Sequence, residues 1–515
     1  MERKLVPLGL VIAALLLAYG APSLPLWDPD EARFARTSLE MWRSGDLVVP
    51  TFGGEPRLVK PPLLHWLHTA LFTLLDPHVW VVRLPALLAS LAMLTITAQA
   101  ARRRFGNPAA GWALILLGTM PLFYAVGRQA TLDALLMLHV GALVLYDFMQ
   151  DDDERHPAVY GLLAGIAFLI KGPIGWILPL VMVLAGRTLG GRRVAPTLRG
   201  VGITVAAAAA VVLPWGLAFL ARIGVGGVGE LLREQLFARA VEGTDHVEPV
   251  YYYLPVLIVA TMPWAFVLAS GLLRSMRGVL EGEARHARYL SGALLAGLVL
   301  FTLSQGKSPN YLMPLLPIAA LLLSWELARQ AEAARSRLGA TLGLTVMLSL
   351  LTIVVALGSA RPDWAEFQRP AQLAAAALAV GAVVTLVATL RAQTRLAWGA
   401  AAVAQALFLA VVVVAVPPRL AETRSSAPFV RSLPELHQAQ AVVLVDTELP
   451  SLLWYLDRLP ERLPISRFDP DQARRQGVYF LFDRRDWERV PSETQAFFEI
   501  RGSRGKYLAV VGRPG

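Results

Sequence analysis

WDPDEARFARTSLEMWRSGDLVVPTFGGEPRLVKPPLLHW, residues Trp27–Trp66, is too densely charged to cross a bilayer as a helix, because each ionised side chain in hydrocarbon costs several kcal/mol. On both sides the composition inverts. Residues 5–21 and 79–100 are apolar runs long enough for ~30 Å of hydrocarbon, and such runs recur until 396–416, thirteen in all. The segment is therefore read as a polar loop between membrane spans. The expected fold is a polytopic α-helical membrane protein, with a transmembrane domain over 1–416 that includes the loop 22–79. Residues 417–515 then form a small soluble α/β domain.

The whole-chain composition agrees. Of 515 residues 55% are hydrophobic and 17% charged, and the mean hydropathy is +0.51. A soluble enzyme does not look like this. The net charge of +10 would suit nucleic acid, but the Lys and Arg are scattered over short loops between apolar runs. That is the positive-inside pattern, so the partner is the bilayer and not nucleic acid. There is no cysteine, which removes thiol nucleophiles, disulfides and Cys-based metal sites. Arg3 and Lys4 ahead of an apolar run imitate a signal peptide, and the run is read as an uncleaved anchor.

The clusters Arg102-Arg103-Arg104, Arg187–Arg199, Arg274–Arg288, Arg329–Arg337 and Arg391–Arg395 fall on one side when thirteen spans alternate. That side is cytoplasmic. The loop after Pro22, the loop Arg222–Val250, Gln305–Asn310 and the C-terminal domain then face the opposite, periplasmic compartment of a bacterial inner membrane. The short runs 158–170 and 172–187 meet at Lys171-Gly172-Pro173, where Gly and Pro break the helix and leave a lysine at the membrane edge. Beyond Pro417, Ala441–Val445, Val478–Phe482 and Tyr507–Val511 read as buried strands and Leu449–Leu456 as a helix.

Within the loop, Asp30–Trp42 has helical spacing with Phe34, Ser38, Leu39 and Trp42 on one side, as for a helix lying along the membrane surface. Asp30 at its start has two readings. It either caps the helix or takes part in chemistry. The crowding of Asp28, Asp30, Glu31 and Arg33 where one span ends, with Lys60-Pro61-Pro62 returning from the same loop, favours a site. Asp133 lies in an otherwise apolar span and needs a partner, for which Arg128 is a structural candidate. Glu230–Tyr253 adds Glu234, Arg239, His246 and the tyrosines Tyr251, Tyr252 and Tyr253, whose rings suit either a sugar or an interfacial belt.

DEARFARTSLEMWRSGDLVVPTFGGEPRLVKPPLLHWL resembles the first periplasmic loop of the aminoarabinose lipid A transferases and their protein O-mannosyltransferase-like relatives, the GT-C glycosyltransferases of families 39 and 83. The similarity continues through EPVYYYLPVLIVATMPW (Glu248–Trp264) and LSQGKSPNYLMPLLP (Leu303–Pro317) and so covers nearly the whole chain. It implies an inverting transfer of a sugar from a polyprenyl (undecaprenyl) phosphate to an extracytoplasmic acceptor such as lipid A, another glycan or a protein.

By that resemblance Asp30 matches the catalytic aspartate, a general base for the acceptor hydroxyl. Lys60 is the first candidate to meet the carrier phosphate, which leaves as an anion and calls for a cation. Glu31, Arg33, Asp133, Arg239, His246, Tyr251, Tyr252, Lys307 and Tyr311 complete the expected substrate-binding set, with interfacial snorkelling as the alternative for Lys307. The resemblance also brings a divalent metal held by a glutamate and a histidine, but this chain has Val59 and Gln235 at those positions. Metal dependence therefore stays open. Two other readings remain: the strict aminoarabinose lipid A transferase, and a polytopic lipid or sugar transporter or flippase, for which no inverted repeat is visible.

Overall fold

A computed structural model describes residues 2–151, 154–232, 248–277, 282–330 and 337–513. Two compact units share the chain. Met1–Tyr19, Leu58–Leu63 and Arg83–Ala415 form the first, and Gly20–Arg57, Leu64–Val82 and Val416–Gly515 the second. Most of the polar loop, placed by its sequence position in the transmembrane domain, thus clusters with the C-terminal residues.

All thirteen expected spans fall on helix, but thirteen is not the count that length and composition support. Among the described residues eight helices are long and apolar enough to cross, or nine if the pair Val250–Thr261 and Ala265–Arg277, bent by 113°, is one span. Two expected spans merge in Val79–Gly118, which breaks at Gly106, where φ is +85°. Pro157–Lys171 and Ile174–Leu189, of 15 and 16 residues, reach only roughly 23 Å. Gly172 joins this pair at φ +70°, a conformation that a side chain resists, so the expected break at Lys171-Gly172-Pro173 is present.

Small residues set how closely the first unit's helices approach. A Cβ on Gly161 would stand 2.2 Å from the carbonyl oxygen of Thr204, and one on Gly165 would stand 2.9 Å from Val211 Cβ. Helix Pro157–Lys171 therefore packs backbone to backbone on Leu198–Leu232, as small-xxx-small spacing allows. At the end of Leu132–Met149 the last carbonyls lack helical partners, and arginines supply them. Arg104 donates to Phe148 O (3.2 Å) and Met149 O (2.7 Å), and Arg192 to Asp147 O (3.0 Å) and Phe148 O (3.1 Å). The fully buried Asp147 carboxylate accepts from Arg187, Tyr160 and Tyr289.

The second unit is built on a five-stranded mixed sheet. Its strands are β3 (Ala441–Val445), β4 (Glu461–Leu463), β5 (Val478–Asp483), β6 (Phe498–Arg504) and β7 (Tyr507–Gly512), in the order β4-β3-β5-β7-β6; β1 (Thr51–Phe52) and β2 (Glu55–Pro56) form a separate hairpin. Residues alternate between two cores. Val442, Leu444 and Leu481 pack with Leu452 and Phe429 on one face, and Val443, Phe480 and Phe482 pack with Phe468 and Trp487 on the other. Covering on both faces explains why AVVLV and VYFLF read as unbroken apolar runs.

Helix Asp30–Ser44 belongs to this unit. Phe34, Ser38 and Leu39 are buried, and the ring of Phe34 sits 5.9 Å from His65 while Trp42 sits 6.2 Å from Phe72, both on helix Leu63–Leu75. On the other side Arg36 donates to Leu453 O (2.8 Å) and Arg43 grips Asp457 through two bonds (2.6 and 2.8 Å). Its apolar face packs against protein.

Candidate active site

Asp28 and Asp30 are two residues apart and have opposite fates. The carboxylate of Asp28 is buried and accepts from Ser451 N (2.7 Å), Ser451 Oγ (2.6 Å) and the Tyr507 hydroxyl (2.9 Å). Burial raises its pKa above the ordinary carboxylate value, and those bonds oppose the shift. It is a structural anchor. Asp30 is exposed, and the helix cap beside it is Pro29, with no side-chain capping bond. The capping reading therefore fails. Among the described residues the Asp30 carboxylate has no hydrogen bond or ion pair, so it is available to a substrate.

Its neighbours are engaged by the protein. Glu31 is buried and accepts from Trp27 N (3.0 Å), fixing the chain's entry into the helix. Arg33 pairs with Glu448 at 3.0 Å. Both were expected to face substrate, and each has a partner within the second unit. Lys60, in the first unit, is half-buried.

The first unit gathers a separate polar cluster. Asp133 accepts from Lys171 Nζ at 2.7 Å, with Asn310 Nδ2 and Thr131 Oγ1 each at 3.4 Å, and the Lys171 ammonium lies 4.7 Å from the ring centroid of Tyr311. Helix ends account for the pair. Asp133 is in the first turn of Leu132–Met149 and Lys171 is the last residue of Pro157–Lys171, where the helix dipoles favour an anion and a cation respectively. Arg128, the candidate that the sequence suggested, donates to the Tyr124 hydroxyl and to Tyr19 O. Lys171 was read only as a helix-end charge. Its isolation at the end of an apolar helix was the signal that it needed a carboxylate.

Lys307 is buried and donates to Glu248 O (3.0 Å) and Gln305 O (3.4 Å), so two backbone carbonyls hold its ammonium. Tyr253 is fully buried and exchanges bonds with Ser308, donating to its carbonyl (3.3 Å) and accepting from its N–H (3.2 Å). Tyr251 is exposed and Tyr252 half-exposed, which leaves their rings accessible.

One buried network escaped the sequence reading. Ser38 Oγ lies 2.8 Å from both His65 Nδ1 and His68 Nδ1, and His68 Nε2 lies 2.8 Å from Val82 O. Burial pushes the pKa of His65 down to about 3 and that of His68 to about 4, so both rings are neutral near pH 7. A carbonyl only accepts, hence Nε2 of His68 carries its proton. The single Ser38 hydroxyl proton is then shared between the Phe34 carbonyl oxygen, also at 2.8 Å, and His68 Nδ1, while His65 donates from Nδ1 to Ser38.

Residues 59–216 match the dolichyl-phosphate-mannose-protein mannosyltransferase family. The undecaprenyl phosphate-alpha-4-amino-4-deoxy-L-arabinose arabinosyl transferase of Pseudomonas paraeruginosa is 30% identical over 463 residues, 86% of this chain and 83% of that protein. This chain belongs to that transferase family. It is a polytopic membrane glycosyltransferase. A second relative of the same name, from Pseudomonas fluorescens, is 28% identical over 89% of the chain and 85% of its own length. The fold is that of ArnT from Cupriavidus metallidurans bound to undecaprenyl phosphate, with a TM-score of 0.79 and 21% identity over 99% of both chains. An Archaeoglobus fulgidus oligosaccharyltransferase shares it more distantly, with a TM-score of 0.54 at 11% identity over 94% of this chain and 69% of its own.

At the two positions where the resemblance implies metal ligands this chain has Val59 and Gln235. Val59 has no donor atom, and among the described residues no three His, Asp or Glu side chains gather to hold an ion. The residues present do not fit the glutamate and histidine pair that the resemblance implies. Glu234, Gln235, Arg239 and His246 lie outside the described residues.

Proposed function

We propose that the protein transfers 4-amino-4-deoxy-L-arabinose from undecaprenyl phosphate to a hydroxyl or phosphate of an acceptor at the membrane surface, of the lipid A class. The observation that carries this reading is 30% identity to a transferase of that donor over 86% of the chain. The exposed carboxylate of Asp30, at the position matched by the family's catalytic aspartate, supports it.

For a hydroxyl acceptor, Asp30 takes the proton as the oxygen attacks the anomeric carbon. A new C–O bond forms on one face while the bond to the phosphate oxygen breaks on the other, so the configuration inverts. The electron pair leaves with undecaprenyl phosphate, whose charge Lys60 offsets. Lys171 and Asp133 act as a pair, and with Tyr311 they offer a cation, an anion and a ring face for a sugar. The accessible rings of Tyr251 and Tyr252 supply further sugar contacts.

The C-terminal sheet and the polar loop are assigned to the periplasm, since Arg104, Arg187 and Arg192 gather at one end of the helices and such loops stay cytoplasmic. A reporter fused after Gly515 that works only in the cytoplasm would overturn this. The function itself is tested with purified protein in liposomes that hold the aminoarabinose donor and lipid A, with product read by mass spectrometry. Lipid A should gain the sugar, in EDTA as well as without it, because Val59 and Gln235 stand where the resemblance implies a glutamate and a histidine. Consumption of a different polyprenyl-phosphate sugar, with this one untouched, refutes the reading of the donor.

A further inference from the structure

A cavity of about 530 Å³ opens between helices Pro157–Lys171, Ile174–Leu189 and Leu198–Leu232. Its lining divides by chemistry. Arg155, Arg187 and Arg193 supply guanidinium groups, while Trp176, Leu180 and Val201 are among the side chains of an apolar wall; no acidic side chain lines it among the described residues. Trp176, Leu180 and Val201 are each at least 40% exposed, and only 6% of the apolar window of Leu198–Gly229 is buried. The apolar side of the cavity therefore faces hydrocarbon. Behind the guanidiniums stands the buried carboxylate of Asp147, which accepts from Arg187 and lies 3.5 Å from Arg155.

We propose that this cavity binds an anionic phospholipid of the surrounding bilayer, with its phosphate among Arg155, Arg187 and Arg193 and an acyl chain along Trp176, Leu180 and Val201. Three guanidiniums line this cavity, and basic pockets between helices on the loop side are suited to phosphate headgroups. The volume lies in the range of a built ligand site, about 300–1,000 Å³. The polyprenyl-phosphate donor is the weaker occupant. Asp133 and Asp147 sit fourteen residues apart on Leu132–Met149, so a donor phosphate bound here would be roughly 21 Å from the Asp133–Lys171 pair. The site is thus distinct from the one assigned to the sugar, and the proposal stands whichever sugar is transferred.

The test uses the full-length protein in detergent, with native mass spectrometry of lipid adducts and thermal unfolding in added lipid. Phosphatidylglycerol and cardiolipin should remain bound and raise the Tm, and phosphatidylethanolamine should not. Arg193→Gln, at an exposed position, should weaken the anionic adduct roughly five-fold, the equivalent of about 1 kcal/mol for one guanidinium near the surface. Val201→Trp, which fills the cavity from its lipid side, should remove the adduct while the Tm without added lipid stays that of the parent. Equal retention of zwitterionic lipid, or an adduct unchanged in both variants, overturns the proposal. Displacement of the phospholipid by equimolar undecaprenyl phosphate overturns the choice of occupant.

Discussion

Asp30→Asn separates chemistry from stability because the structure gives this carboxylate almost nothing to hold. The residue is exposed, and its helix has Pro29 at the cap with no side-chain bond. What folding loses on substitution is the charge–dipole term of a first-turn carboxylate, ~0.3–1 kcal/mol at an exposed helix end. The Tm should barely move. A general base that can no longer accept a proton costs ~10²–10⁴ in turnover, or roughly 3–5 kcal/mol of transition-state stabilisation. The kinetic loss therefore exceeds the stability loss several-fold. Initial rates of sugar transfer and thermal unfolding should be measured on the same purified preparations, at matched folded protein. Turnover near that of the parent protein would refute the assignment of Asp30 as base. A Tm loss as large as that of an Asp28 variant would refute the claim that Asp30 carries no structural load.

Asp28→Ala should do the reverse, since it leaves Ser451 N–H, Ser451 Oγ and the Tyr507 hydroxyl without their buried acceptor. A loss of about 2–5 kcal/mol is expected, read as a lower Tm and faster proteolysis of the C-terminal sheet. Lys60→Met should impair both donor affinity and turnover while Lys60→Arg retains part of each; Met indistinguishable from the parent would make Lys60 a bilayer anchor. His65 and His68 set an acid limit. Their folded pKa values, about 3 and about 4, lie below the ordinary 6.5, so the stability they confer is complete above pH 6.5 and fades as pH falls toward 4. Asp28, raised by burial, has the opposite sign and gains as pH falls. A Tm that declines from pH 6.5 to 4.5, and flattens in His65→Gln/His68→Gln, is expected; an identical decline in the double variant would remove the histidines as its cause.

Hydropathy and period are local properties, and what depends on them was legible without coordinates. The apolar runs identified the membrane class and fell on helices, and AVVLV and VYFLF were recognisable as buried strands because both faces of β3 and β5 are covered. Asp30 stood out because family similarity and charge crowding converge on it. The edge strands β4 and β6 were missed, since GluArgLeu and most of PheGluIleArgGlySerArg face solvent and show no apolar run. Long-range pairing was equally invisible. Asp28 meets Ser451, 423 residues away, and Asp133 meets Lys171, 38 residues away. A buried charge announces in sequence that it needs a partner; which partner it finds depends on how the helices pack and where their ends are brought together. The same holds for the apolar stripe of Asp30–Ser44, whose spacing shows that something must cover it, while only the fold reveals that helix Leu63–Leu75 packs on it.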